Sequence, residues 1–142
     1  MVLLCRCGTR EVAFPLDNVD EVVMVPALAP LPEAPHWVAG VLNLRGRNVH
    51  VLDVTARLSR QPREVELSDY VIVGNSGQRA VGFIVQDLGE PTSIRPQEVH
   101  APEDGLSVAP YLMGLIQREE GQIALLDTQS LVIASGMGEV AA

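Results

Sequence analysis

Apolar residues in this chain come in short runs broken by glycine-containing turns, a pattern of strands more than of helices. VLLCRCGTREVAFPL reads as one hairpin, turning at Gly8 and Thr9. YVIVGNSGQRAVGFIV reads as another, turning at Asn75, Ser76 and Gly77, and GLIQREEGQIALLD as a third, turning over residues 118–121. In VAGVLNLRGRNVHVLDVTARL, residues 38–58, the positions Val38, Val41, Leu42 and Leu44 predict a buried strand. Val49, Val51, Leu52 and Val54 predict its partner. Arg45, Gly46, Arg47 and Asn48 form a polar turn between them, with Gly46 free to take positive φ. Helix is confined to DVTARL and DTQSLV, where Asp53 and Asp127 can each cap a first turn. Residues 26–35, PALAPLPEAP, hold four prolines and predict an extended, stiff connector.

Laid against each other, the hairpins repeat. GTREVAFPLDNVDE from Gly8 aligns without gaps on GQRAVGFIVQDLGE from Gly77, matching Arg10 with Arg79, Val12 with Val81 and Phe14 with Phe83. Leu16 falls on Val85, Val19 on Leu88 and Glu21 on Glu90. Gly40 to Asp53 likewise corresponds to Gly114 to Asp127, with Val41 on Leu115, Leu42 on Ile116 and Leu52 on Leu126. The chain therefore reads as one domain of two similar halves, residues 1–66 and 67–142, each a set of short antiparallel strands, with exchange of strands between them allowed. A half of that size buries little core alone, so two small barrels sharing an apolar seam are expected. Positions common to both halves belong first to the fold. Asp53 and Asp127 read as caps, and Gly40 and Gly114 as close backbone approaches. The Arg45-Gly46 tip belongs to the first half alone, which marks it as something the fold does not require.

Composition narrows the chemistry. Hydrophobic residues make up 47% of the 142 residues and aromatics only 4%, an aliphatic core suited to strands. A net charge of −8 repels phosphate backbones and anionic membranes, so no nucleic-acid partner is expected. No apolar run is long enough to insert in a bilayer, and the N-terminus lacks signal-peptide features, so a cytoplasmic location is expected. Cys5 and Cys7, the only cysteines, share one face of a strand. With scattered histidines they amount to half a tetrahedral site, so they read as reduced thiols, with no metal and no cofactor.

PLDNVDEVV, the Pro-rich segment, APHWVAGVLNLRGRNVHVLDV and RAVGFIV together resemble the CheW-type chemotaxis coupling domain, in order and spacing over nearly the whole chain. The most specific part is Gly40-Val41-x-Asn43-Leu44-Arg45-Gly46 followed by a strand ending at Asp53. The resemblance implies an all-β fold of two SH3-like five-stranded β-barrel subdomains with short helices. It also implies a non-enzymatic adaptor linking chemoreceptor cytoplasmic tips to the regulatory domain of a chemotaxis histidine kinase, with the helical receptor tip lying in an apolar groove. Its partner-binding positions fall on Val19, Glu21, Gly40, Asn43 and Arg45, and Val85 and Leu88 join them in the expected docking surface. For Val19, Glu21 and Gly40 a structural role competes, because Leu88, Glu90 and Gly114 occupy the same places in the second half, and for Val19 and Gly40 it is an equal reading. Arg45 has the stronger claim, since Arg is enriched at interface hot spots. The chain departs from the family pattern at His50, where a proline is usual, and at Gln86, where an aspartate is.

Two other readings use the same residues. One is a scaffold of a non-flagellar pathway, such as pilus motility or another chemosensory system. The other is a small enzyme with Arg45, His50 and Asp53 as an acid–base cluster. Eight residues of strand separate Arg45 from Asp53 and need not bring them together, and no nucleophile-and-base pair or phosphate loop accompanies them.

Overall fold

Alternating apolar positions and glycine turns give short strands throughout the described residues of the computed structural model, 1–76, 79–101 and 111–137. β1 (Val2–Cys7) turns at Gly8 and Thr9 into β2 (Arg10–Pro15), and a 3-10 turn (Leu16–Asn18) leads to β3 (Val19–Met24). β4 (Val38–Leu44) and β5 (Arg47–Asp53) make the next hairpin and run into α1 (Val54–Ser59). β6 (Tyr70–Ser76) and β7 (Arg79–Val85) form the hairpin of the second half; of its expected turn, Asn75 and Ser76 are strand instead, paired with Ala80 and Arg79, and Gly77 lies outside the described residues. β8 (Asp87–Thr92), the short β9 (Val99–His100), β10 (Leu112–Arg118), β11 (Gly121–Leu126) and α2 (Thr128–Ala134) follow. Both helices are capped as expected: Asp53 accepts from the Ala56 amide at 3.1 Å and Asp127 from the Ser130 amide at 3.2 Å. The Pro-rich connector is not extended throughout. It turns at Pro32 and Glu33, where Glu33 takes φ +61°, and Ala29 bridges to Val41.

Among the described residues the strands form two sheets, ordered β8-β1-β2-β11-β10-β9 and β3-β6-β7-β5-β4. Neither closes on itself. The expected pair of five-stranded β-barrels is therefore corrected to two open sheets of six and five strands. They are also mixed rather than antiparallel, because β11 joins β2 and β5 joins β7 in parallel. The edges explain the lack of closure. The outer edge of β4 is taken by Ala29, whose amide and carbonyl bond Val41 at 2.9 and 2.8 Å. β8 carries Pro91, which has no amide to donate.

The internal repeat is visible in the topology. Under it β8-β1-β2-β11-β10 takes the same order as β3-β6-β7-β5-β4. The register agrees as well: Ala124 faces Val12 and Leu125 faces Ala13, as His50 faces Val81 and Val51 faces Gly82. β3 flanks the second-half hairpin through β6, and β8 flanks the first-half hairpin through β1. The six-stranded sheet thus combines the first-half hairpin with four strands of the second half, and the five-stranded sheet the second-half hairpin with three strands of the first.

The main core lies where the sheets face each other. Val12, Phe14 and Leu126 of one sheet meet Leu52, Val81 and Phe83 of the other, together with Leu131 of α2. Phe14 and Phe83, equivalent positions of the repeat, have ring centroids 5.6 Å apart. The opposite faces are buried too, around Val49, Val51 and Ile84 in one sheet and Ala13, Ile116 and Ile123 in the other. Burial on both faces is why β7 reads as an unbroken apolar run.

Candidate partner-docking site

The tip between β4 and β5 is a two-residue turn with both residues left-handed, Arg45 at φ +50° and Gly46 at φ +84°. Positive φ at both positions matches the right-handed twist of the flanking strands, and Gly46 takes it freely. Asn43 fixes the turn by accepting the Gly46 amide on Oδ1 at 3.0 Å. Arg45 is thereby lifted to the surface, its side chain 72% exposed, and it forms an ion pair with Glu21 of β3. The hydrogen bond to Glu21 holds the guanidinium pKa above its ordinary value. β3 and β4 are the two edge strands of the five-stranded sheet, so this pair reaches between edges that no ladder joins.

Glu21, Asn43 and Arg45 therefore belong to one surface feature. The remaining expected positions lie elsewhere. Val19 and Leu88 are half-buried at the starts of β3 and β8, packed against the main core, and Val85 is fully buried within it. Gly40 is buried at φ +143°, and a Cβ there would stand 2.5 Å from the Ala29 carbonyl oxygen. Gly40 thus has a steric reason to be glycine, as Gly114 has beneath Val99 and His100.

The acid–base cluster drawn from Arg45, His50 and Asp53 does not assemble. Arg45 is held by Glu21, and His50 Nδ1 lies 3.2 Å from Arg79, with burial first and then that cation lowering its pKa. Asp53 is buried at the start of α1, where it takes the Ala56 amide and Arg63 Nε at 2.8 Å. Burial raises its pKa, and the amide and Arg63 offset part of that rise. Arg63 also pairs with buried Asp69, fastening the segment after α1 back onto the sheet. Among the described residues no three His, Cys, Asp or Glu side chains are grouped to hold a metal ion, and no helix is long and apolar enough to cross a membrane.

One buried cation escaped the sequence reading. Arg57 of α1 lies between Trp37 and Tyr111, 5.0 and 5.3 Å from their ring centroids. Its Nε donates to Ser135 Oγ at 3.1 Å and its Nη2 to the Ala134 carbonyl at 3.3 Å, at the end of α2. Trp37 and Tyr111 are themselves equivalents in the repeat: their carbonyls accept the Asp53 and Asp127 amides. The signal was available in the repeat, where a buried Arg stands opposite Leu131.

The model of the CheW-like domain family matches residues 1–135. A chemotaxis protein CheW of Klebsiella aerogenes is 29% identical over 140 residues, covering 97% of this chain and 84% of that protein. Protein FrzA of Myxococcus xanthus is 28% identical over 121 residues, covering 84% of this chain and 76% of its own length. The crystal structure of the scaffolding protein TtCheW from Thermoanaerobacter tengcongensis superposes with a TM-score of 0.79 over 88% of this chain and 86% of that one, at 20% identity, which establishes a shared fold. With the family model spanning both sheets and both helices, the chain belongs to the CheW-like domain family.

Proposed function

We propose that this chain couples the cytoplasmic tips of chemoreceptors to the regulatory domain of a chemotaxis histidine kinase. Members of the CheW-like family are non-enzymatic adaptors of chemotaxis signalling, and the chain shares that general role. The observation that carries the finer reading is the exposed ion pair of Arg45 with Glu21, presented on a strained turn that the second half of the fold does without. A guanidinium offers five donors in a rigid fork, suited to a carboxylate on a partner helix. Val19 and Leu88, half-buried beside the main core, supply apolar contact, while Val85 supports them from within. A scaffold of a non-flagellar pathway is the second reading. It is supported by the near-equal identity to a relative that does not carry the CheW name, 28% against 29%.

The test compares Arg45→Ala with Arg47→Ala, its exposed neighbour across the turn. Binding to a receptor-tip fragment and to the kinase regulatory domain is measured by titration, with thermal melts alongside. Arg45→Ala should weaken at least one partner by about tenfold or more, the level of an interface hot spot. Arg47→Ala should change little, and both should melt with the parent. Normal binding by Arg45→Ala, or a loss matched by a lowered melting temperature, overturns the assignment.

A further inference from the structure

The six-stranded sheet carries an open groove of about 1050 Å³ across β2, β11 and β10, on the face whose Val12 and Leu126 enter the main core. Val12, Leu115, Ala124 and Leu126 line its apolar part, with Tyr111 and Leu58 at one end. Arg10 and Arg118 stand at the other end, beside Glu11, Glu119 and Glu120.

The internal repeat shows what such a groove holds. In the five-stranded sheet the equivalent positions are Val81, Val41, His50 and Leu52, with Trp37 in the place of Tyr111 and Arg79 in the place of Arg10. There the chain leaving α2 lies across the sheet. Trp37 Nε1 donates to the Ser135 carbonyl at 2.9 Å, and Arg79 Nη1 donates to the Met137 carbonyl at 2.6 Å. Met137 is 2% exposed and belongs to the same buried cluster as Val81 and Leu52. The chain leaving α1 does something else. It bends at Arg60, which takes φ +59°, and Arg63, at the position equivalent to Met137, turns to Asp53 and Asp69. In the six-stranded sheet the half-buried Leu115 and Ala124, beside the buried Val12 and Leu126, have the same arginine nearby, without a helix end laid over them as Ser135 to Met137 are laid over the other sheet.

We propose that this groove docks the C-terminal end of a helix from a partner protein. This proposal is independent of the receptor-coupling reading. Charge selects that occupant. The last carbonyls of a helix carry partial negative charge, and Arg10 is exposed and has no ion pair among the described residues. Arg118 Nη2 is buried in the groove wall without a hydrogen-bond partner among the described residues, while its Nη1 lies 3.7 Å from Glu98. Glu11, Glu119 and Glu120 complement the Lys or Arg residues that favour the last turn of a helix. An apolar residue just beyond that turn, in the role of Met137, fills the floor.

The probe is a lactam-stapled peptide of the sequence of residues 127–137, the chain's own example of such an end, added to isotope-labelled full-length protein. Saturable amide shifts are expected at Arg10, Val12, Tyr111, Ala124 and Leu126. Arg10→Ala should weaken the peptide by about fivefold or more, and Ala124→Trp, which fills the floor, should abolish binding. Arg10 is exposed, so its variant keeps the test decisive where the tryptophan disturbs folding. Absent shifts, shifts centred on His50 and Arg79 instead, or unchanged affinity in Arg10→Ala would each overturn the proposal.

Discussion

Cys5 and Cys7 are successive inward residues of β1, and burial decides their chemistry. Burial, with Cys7 and Asp87 nearby, pushes the Cys5 thiol far up, and burial pushes Cys7 up to about 12 against a modest opposing hydrogen bond from Thr55. In the unfolded chain both ionise near ~8.5. A folded pKa above the unfolded one contributes stability that is fully present below ~8.5 and is lost as pH rises toward the folded value. Every one of the ten cationic side chains is arginine, so no lysine titrates in that window. Urea denaturation at pH 7.5 and pH 9.5 should differ by about 3 kcal/mol, from two thiols at about 1.4 kcal/mol each. Cys7→Ala should lose about half of that dependence, whatever its stability at neutral pH. A flat profile in the parent would show that the thiols are accessible in the native state.

At the scale of elements, the two capped helices are a matched pair with one difference. Asp127 serves the Ser130 amide, whereas Asp53 serves the Ala56 amide and also holds Arg63. Asp127→Ala should cost about 1 kcal/mol, the usual worth of a cap. Asp53→Ala should cost about 3 kcal/mol, because it also breaks a largely buried ion pair. Asp53→Asn should fall between the two, since Asn caps as well as Asp. Denaturant melts of the three variants decide it, and equal costs for the two alanines would remove the role given to Arg63. These caps were legible in the sequence because capping is local, and so were the hairpins and their repeat. Sheet membership was not, because β3 and β8 are sent to the other half's hairpin within a few residues of crossover at Leu16–Asn18 and Gln86. Nor was the covering of the β4 edge, which depends on Ala29 turning back from the Pro-rich connector onto Val41. At the candidate site the Arg45 tip was legible as a turn. Its pairing with Glu21, 24 residues away, was fixed only by the curl of the sheet between them.

The whole molecule is built so that neither half holds a complete sheet. Residues 1–66 contain β3, β4 and β5 but not β6 and β7, which stand between β3 and β5 in the sheet. They contain the β1-β2 hairpin but neither β8 nor β11, its two neighbours. Phe14 would lose Phe83, and the cluster joining the sheets would lose one wall. Apolar surface left open on that scale cannot offset the entropy of ordering the chain, so the two halves should fold as one cooperative unit. A fragment of residues 1–66 should accordingly give a collapsed amide spectrum alone. Mixing it with residues 67–142 should restore dispersion, since every missing strand neighbour is then supplied in trans. The cut falls beside Leu67, which is 83% exposed and lies outside both sheets, so the break itself removes no ladder. A well-dispersed spectrum from residues 1–66 alone would mean that β3, β4 and β5 can pair without β6 and β7 between them, and the interlocked design would then be wrong.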